Sequence, residues 1–600
     1  MTAVKFDVFG GMVPAVDDRL LQDRAAAHSE NTWLYSGRLD GLPQPTLVRA
    51  FTAGTAKVYR LPNNYTDSAH IDDSTWLEFQ NPHTDVIRAL VIDDQFDRYY
   101  WASSTLPPMY NTRERIDNGD DPWLLGIPAP ATPGLVASGG VGDAVARAYV
   151  ATWVSAYGEE GPASAPITVT GKVDDTWALT LTAAAATDLG NVGDDRYLTE
   201  TRIYRTVTSD AGVATYFLVA EIDIATLSYN DTVDDTVVAA NNQLESTNWI
   251  GPPSDLEGWV TMPNGIIAGW KSNEIWFSEP YRPHAWPAAY SIVVDFPIAG
   301  LGVTGQTLIV CTQGYPYTVN GIHPASMSQS KNAALEPCLS RGSILSAVEG
   351  VYYASPNGLV FAGQGQIKNI TQELLSKDKW QQLTTPATMF AARIGSAYYG
   401  FGSGLVGVFD PLSFDPLSFA QEDFDAAYTG FLVDPSNARL GFNLLSDTEV
   451  VSCVQNDPWS GELFIMKDSS LYRIDLSDPD PTRRVYIWRS KVFQSPKPRN
   501  FGAMKVYWEV PTADAPDVPV STPDSVVPAE FPELPVGSTY GVVRLYADGA
   551  LVMTRDLTTS GQLIRGPSGF KATYWQVEFE TYVSIYSMQM APTVKELSAV

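Results

Sequence analysis

Three cysteines and five histidines are all that 600 residues contain of the side chains most used to bind zinc and the softer metals. Cys311, Cys338 and Cys453 form no CxxC pair and are odd in number, so they read as buried thiols of a reducing compartment rather than a metal or redox centre. His28, His70, His83, His284 and His323 are too scattered to mark a triad, and structural or surface roles are expected of them. Basic residues are also short: 39 against 68 acidic ones leave a net charge of −29, which opposes adhesion to phosphate backbones or anionic lipid. Long apolar runs are missing, since stretches such as IGSAYYGFGSGLVGVF are broken by glycine well before a membrane span. The opening MTAVKFDVFGGMVP lacks a basic region followed by an apolar core, so no secretory signal is expected. Neither GxxxxGK[ST] nor HExxH occurs.

What is there is β chemistry. Short runs of Val, Ile, Tyr, Phe, Trp and Thr alternate with turn residues, and 46 glycines and 42 prolines supply the turns. With 44% hydrophobic and 18% charged residues the chain is globular, and at roughly 150 residues per domain its length suggests about four domains. The fold class expected is mainly β: a degenerate β-propeller core, an inserted β-sandwich and a C-terminal β-region. Helix signals are confined to 17–28 (DDRLLQDRAAAH) and 371–380 (TQELLSKDKW), the latter capped by Thr371.

Four regions follow. Residues 1–127 form an N-terminal platform associated with the propeller. Residues 128–245 open on the proline-rich IPAPATPG and read as a small sandwich. Residues 246–490 carry a glycine-turn rhythm marked by Asn264, Asn320, Asn357, Ser403 and Ser460, at spacings near those of propeller blades, with a long irregular sandwich as the competing reading. The tandem FDPLSFDPLSF at 409–419 reads as a loop duplication. Residues 491–600 form a C-terminal β-region with a hairpin turn at Asp548-Gly549 and a proline-rich acidic loop, 509–537, expected to be extended and solvated.

Motifs for chemistry are weak. Gly402-Ser-Gly404-Leu-Val-Gly407 matches GxGxxG, but its continuation reaches Pro411 at once and reads as strand and turn rather than a helix cradling a pyrophosphate. Asn118 with Asp120-Asp121, and Asp478 with Asp480, could hold calcium, yet they fit no EF-hand spacing and read as solvated acidic turns. No catalytic residue, cofactor or metal is assigned. One charge feature stands out: Arg483, Arg484, Arg489, Lys491, Lys497, Arg499 and Lys505 form an acid-free basic strip in an acidic protein. It is a candidate subunit interface meeting an acidic neighbour, with nucleic-acid contact and an ordinary solvated strand face as alternatives.

Two resemblances add to this reading. The strand 149–162 with its GEEGP turn, the RIYR strand 202–205, and YFLVAEI leading to SYNDT resemble a fibronectin type III-like module. FGGMVPAVDDRLLQDRAAAHSENTWLYSGRLDGLPQP, NEIWFSEPYRPHAWP, GQTLIVCTQGYPYTVNG and IRGPSGFKATYWQVEFE together resemble the tail nozzle proteins, or tail tubular protein B group, of short-tailed bacteriophages. That resemblance implies a structural virion protein without enzymatic activity, assembled in the bacterial host cytoplasm. It implies a homo-oligomer, a hexameric channel for genome ejection, docked on an adaptor or head-to-tail connector protein below the portal. Tail fibres or a needle are implied as partners, and viral double-stranded DNA passes without specific binding. An acidic wall suits that passage, because it releases no counterions from the duplex and so does not grip it. Two alternatives stay open: a baseplate or receptor-binding protein contacting host glycan, and a carbohydrate-active enzyme on a propeller.

Overall fold

In a computed structural model of the protein, the residues described are 3–63, 71, 74–208, 214–363, 365–407, 427–434, 441–446, 451–475, 481–510, 539–569 and 571–598. The tandem 409–419, Asp478 with Asp480, His70 and nearly all of the loop 509–537 lie outside them. The fold is mainly β, built from many small antiparallel sheets with a few single-turn helices. The chain divides into two units: residues 1–82, 338–345 and 352–600, and residues 83–337 with 346–351.

In the second unit, consecutive segments form four-stranded sheets. Ile298–Thr304, Thr307–Thr312, Tyr317–Asn320 and Ser328–Lys331 pair in sequence order, with Leu308 opposite Val319 and Val310 opposite Tyr317. Composition sets the order of burial. TLIVCT is apolar on both faces and almost wholly buried, whereas SQSK at the outer edge is exposed throughout. Glu257–Met262, Ile266–Lys271, Glu274–Phe277 and Ile292–Val293 form another such sheet. The core between the two contains Ile266, Ile275, Phe277, Leu308 and Val310. A third runs through Asp85–Arg88, Arg98–Ser103, Leu106–Thr112 and Trp123–Leu124.

Between the strands Trp123–Leu124 and Glu257–Met262 the chain makes a two-sheet sandwich. Gly134–Ser138, Thr176–Thr180 and Ser228–Asp231 form one sheet, and Ile167–Lys172, Ala144–Ser155, Leu198–Thr208 and Ala214–Asp223 the other. Tyr149, Ala151, Trp177, Leu179 and Ile203 fill the space between them. Tyr149 donates its hydroxyl to Asp231 across the core at 2.6 Å, and Arg205 pairs with the same carboxylate. The chain enters and leaves the sandwich at one place: a Cβ added to Gly126 would come within 2.5 Å of the Gly251 Cα. Gly126 also has φ +97°, which other residues rarely adopt. Gly126→Ala is therefore expected to cost about 2 kcal/mol or more, read as a lower urea midpoint at unchanged m-value.

In the first unit the meander Phe390–Ile394, Ala397–Gly407, Ala427–Val433 and Phe442–Ser446 continues into one ten-stranded sheet. Ala26–Glu30 lies beside Phe442–Ser446, then come Tyr486–Ser490, Ala572–Thr581, Gly541–Ala547 and Ala550–Asp556, with Phe493–Arg499 also on Ala572–Thr581. Trp488 sits beneath this sheet against Phe6, Phe9 and Phe579, its indole donating to the Gly10 carbonyl at 3.0 Å. A smaller sheet joins Val4–Phe6 to Ser584–Ala591, then Ala503–Glu509 and Ile564–Arg565. In a third, Val451–Asn456, Leu463–Lys467 and Ser470–Ile474 take their fourth strand, Thr46–Ala50, from the far end of the chain. A further meander spans Leu345–Ser346, Val351–Ser355, Gly358–Gly363 and Gln366–Asn369, the stretch in which the division between the units falls.

Two local expectations are corrected. The segment 17–28 is not a helix. Asp17 closes a turn by accepting from the Arg19 amide at 3.0 Å, and the alanines belong to the strand Ala26–Glu30, paired with Tyr486–Ser490 and buried. Central-strand burial of small side chains outweighs their helix propensity. The second helix is Lys377–Leu383, capped by Ser376 rather than Thr371, because the Thr371 hydroxyl is engaged by the Leu359 amide at 3.0 Å. The GxGxxG stretch lies on the strand Ala397–Gly407.

Candidate functional site

The basic strip is mostly used inside its own unit. Arg483 donates to the Gly41 carbonyl at 2.9 Å, and Arg484, almost fully buried, donates to the Ser446 carbonyl at 3.0 Å. Arg489 donates to Glu578 at 2.6 Å and lies over the Tyr546 ring. Lys491 reaches the Leu21 carbonyl at 2.7 Å and Asp23 at 3.0 Å. Burial works to raise the Glu578 pKa, but Arg489 and Arg544 on either side hold it below the usual carboxylate range. Of the seven, Lys497 is exposed, while Arg499 and Lys505 are half-buried. The partners of the strip are backbone carbonyls and acids from distant segments, which a run of basic residues in sequence does not announce.

The most perturbed titratable groups lie together in the second unit, and sequence reasoning did not single them out as a group. Arg98 begins the strand Arg98–Ser103, and the tight turn before it lets Asp94 accept from the Arg98 backbone amide and from Nε, each at 3.0 Å, and from Nη2 at 2.8 Å. Its other nitrogen, Nη1, donates to Glu159 at 2.8 Å. Glu159 sits in the turn after Ala144–Ser155, its amide donating to the Ser155 hydroxyl at 3.3 Å and its carbonyl accepting from the Ser155 amide at 2.9 Å. His284 packs on the far side, Nδ1 being 3.9 Å from Glu159 Oε1, with neither ring nitrogen hydrogen-bonded. Burial pushes the Glu159 pKa up to about 7 against the pull of Arg98. Burial, then the charges of Arg282 and Arg98, push His284 down to about 3. Tyr100 and Tyr110 stand in the same environment, their hydroxyls raised well above the ordinary range, first by burial and then by Glu159.

A carboxyl near neutrality beside an uncharged imidazole is the composition of an acid–base pair, but here both Glu159 and His284 are buried. The arrangement ties the 155–160 turn of the sandwich to the 94–98 turn and the 282–286 loop. The signal available in sequence was the GEEGP turn itself, read there only as a strand connection.

The remaining candidates separate. Around Asn118, Asp120 and Asp121 it is Arg115 that occupies the loop, donating to the Asp121 carbonyl at 2.7 Å and lying 3.8 Å from the Asp120 carboxylate. Among the described residues no group of three or more His, Cys, Asp or Glu is arranged to hold a metal ion. Cys311, Cys338 and Cys453 are buried thiols outside any disulfide, and burial raises the Cys453 thiol above its ordinary range. His28 pairs with Glu30 at 3.4 Å, and His323 is a surface residue. Among the described residues no helix is long and apolar enough to cross a membrane.

The architecture defines the class of the protein as mainly β and goes no finer. No protein-family model and no curated protein sequence matches the chain. Among solved structures it is similar to BBS1N in complex with ARL6DN, at 9% identity over 72% of this chain and 98% of that one, with a TM-score of 0.28. It is also similar to the glutaminyl cyclase of Myxococcus xanthus, at 10% identity over 37% of this chain and 89% of that one, with a TM-score of 0.20. The N-terminal domain of Nup159 gives 8% identity over 45% and 85%, again at 0.20. Likenesses at such scores carry no argument about what this chain does.

Proposed function

We propose that this chain is a structural bacteriophage virion protein of the tail nozzle type, a degenerate β-propeller with a fibronectin type III-like insert, assembling into a hexameric channel below the portal and its adaptor. One observation carries the reading. The N-terminal and C-terminal segments that bear the resemblance, far apart in sequence, occupy a single sheet: Ala26–Glu30 lies on Tyr486–Ser490, which lies on Ala572–Thr581. Trp488 anchors the same N-terminal segment through the Gly10 carbonyl. The first and last of the four patches of likeness thus share one sheet of the first unit.

Successive four-stranded meanders support the propeller, and the sheet completed by the strand Thr46–Ala50 is what a ring of blades needs where its two ends meet. The two-sheet unit between Gly126 and Gly251 supports the insert. The net charge of −29 supports passage of duplex DNA without retention. A closed ring needs one patch to meet a different patch next door, and Lys497 on an acidic protein suits one side of such a contact. With the 65.4 kDa chain, a ring of about 400 kDa is expected in native mass spectrometry with the adaptor present, and six-fold averages in particle images. Monomers alone under those conditions refute the reading.

A further inference from the structure

In the second unit, the loop after the strand Glu274–Phe277 doubles back on itself, with the Glu279 amide donating to the Ala285 carbonyl at 2.8 Å and Glu279 bridged to Arg282. At its tip Tyr281 has φ +58°, the left-handed region that a bulky side chain disfavours. It is held there by its own amide, which donates to the Gly265 carbonyl at 2.7 Å. The Tyr281 ring lies against Gly265 so closely that a Cβ at 265 would come 2.5 Å from two ring carbons. Gly265 and Asn264 are themselves left-handed, at φ +68° and +65°. The strained backbone serves no core packing, since Tyr281 remains 55% exposed. Strain held in place at an exposed aromatic side chain is a mark of function.

Polar groups lie on the same loop and on the turns bonded to it. The Glu279 carboxylate accepts from the Tyr290 hydroxyl and lies 4.0 Å from His323 Nε2. His323 Nδ1 accepts from the Ala325 amide at 3.2 Å, which places the ring proton on Nε2 as a donor. Asn264 donates to the Ile322 carbonyl at 3.2 Å, which seats the exposed Ile322 beside the same turn. The loop and its neighbours thus supply an aromatic ring held by the backbone, an acceptor in Glu279 and a donor in His323, while Arg282 is stacked on Trp249 at 4.3 Å.

We propose that this patch is a binding site for a neutral hexopyranose unit: the Tyr281 ring takes the C–H face of the sugar, and Glu279 and His323 take its hydroxyls. Aromatic faces favour such apolar surfaces, and a few fixed polar groups set the orientation. Neutrality follows from Glu279 and from the acidity of the whole protein, both of which repel a uronate or sialate. This goes beyond a conduit role and does not depend on it.

Saturation-transfer NMR on the full chain with methyl β-D-glucopyranoside, methyl β-D-galactopyranoside and methyl α-D-mannopyranoside, against methyl β-D-glucuronide, tests it. Saturable transfer is expected for at least one neutral glycoside at millimolar concentration and none for the glucuronide. Tyr281→Gly, which suits the left-handed backbone and so keeps the fold, is expected to weaken binding about tenfold or more with an unchanged or higher Tm. Glu279→Gln is expected to weaken it severalfold and to narrow the discrimination against the glucuronide. Absence of transfer from all three neutral glycosides, binding indifferent to Tyr281→Gly, or a change in oligomeric state without sugar binding overturns the proposal, the last by identifying the patch as a contact between copies.

Discussion

Asp457→Ala is expected to destabilise the first unit by about 3–5 kcal/mol, because it breaks a buried ion pair and removes the acceptor that closes the next turn. Arg60 and Asp457 are each 1% exposed, and the carboxylate accepts from Arg60 Nε at 3.2 Å and pairs with Nη2. The same carboxylate accepts from the Ser460 amide at 2.9 Å and hydroxyl at 2.7 Å, so its loss also opens the turn between Val451–Asn456 and Leu463–Lys467. Trp459 donates its indole to the Arg60 carbonyl at 2.8 Å, and Gln455 donates to the Val58 carbonyl at 2.6 Å. Together these bonds dock the hairpin Lys57–Pro62 and Ser74–Phe79 on that turn. Denaturant titration of Asp457→Ala, Arg60→Met and the pair Arg60→Met with Asp457→Leu checks the argument. The double variant is expected to lose less than the sum of the two single variants, since both singles remove the same ion pair. A single-variant loss below about 1 kcal/mol contradicts it.

The second large effect is a pair of opposite pH slopes hidden in the wild-type protein. Glu159 titrates near 7 in the folded state against an ordinary 4.5, so the fold holds an extra proton between those values and its contribution is lost as pH rises through 7. His284 titrates near 3 against 6.5, so the fold holds one proton fewer between those values and its contribution is lost as pH falls from 6.5 toward 3. Between pH 4.5 and 6.5 the two slopes cancel. Glu159→Gln is expected to leave the histidine slope alone, so that stability relative to wild type rises with pH across this window by about 1.4 kcal/mol per unit. His284→Leu is expected to give the opposite slope of similar size. Urea unfolding of each variant at pH 4.5, 5.5 and 6.5 reads both, and parallel profiles for all three proteins would show that Glu159 and His284 do not titrate in this way.

The β class was legible because it is written in local composition, as in TLIVCT buried within a sheet and SQSK exposed at its edge. The Asp548-Gly549 turn was legible for the same reason: φ +49° and +85° suit those two residues, and the strands Gly541–Ala547 and Ala550–Asp556 follow on either side. What failed was whatever depends on a distant partner. The alanines of 25–27 favour helix locally, and pairing with Tyr486–Ser490 draws Ala26 and Ala27 into a strand. Thr371 and Ser376 are equally good caps in sequence, and the choice is made by Leu359. For the basic strip, Glu578, Gly41 and Ser446, which accept from Arg489, Arg483 and Arg484, are likewise nowhere near it in the sequence. Likewise the Asp94, Arg98, Glu159 and His284 cluster is assembled from three turns, each unremarkable alone.

Strand pairings between segments far apart in sequence set the timing of maturation. Val4–Phe6 pairs with Ser584–Ala591, and Thr46–Ala50 with Ser470–Ile474, so early strands bond to partners made about 580 and about 420 residues later. At about 5–20 residues per second, translation keeps those early strands waiting for roughly half a minute to two minutes. Over that interval they offer unpaired edges to any nascent neighbour on the same polysome. Completion of the first unit thus waits for the strand Ser584–Ala591, and a chain that stops short of it leaves Val4–Phe6 without this pairing.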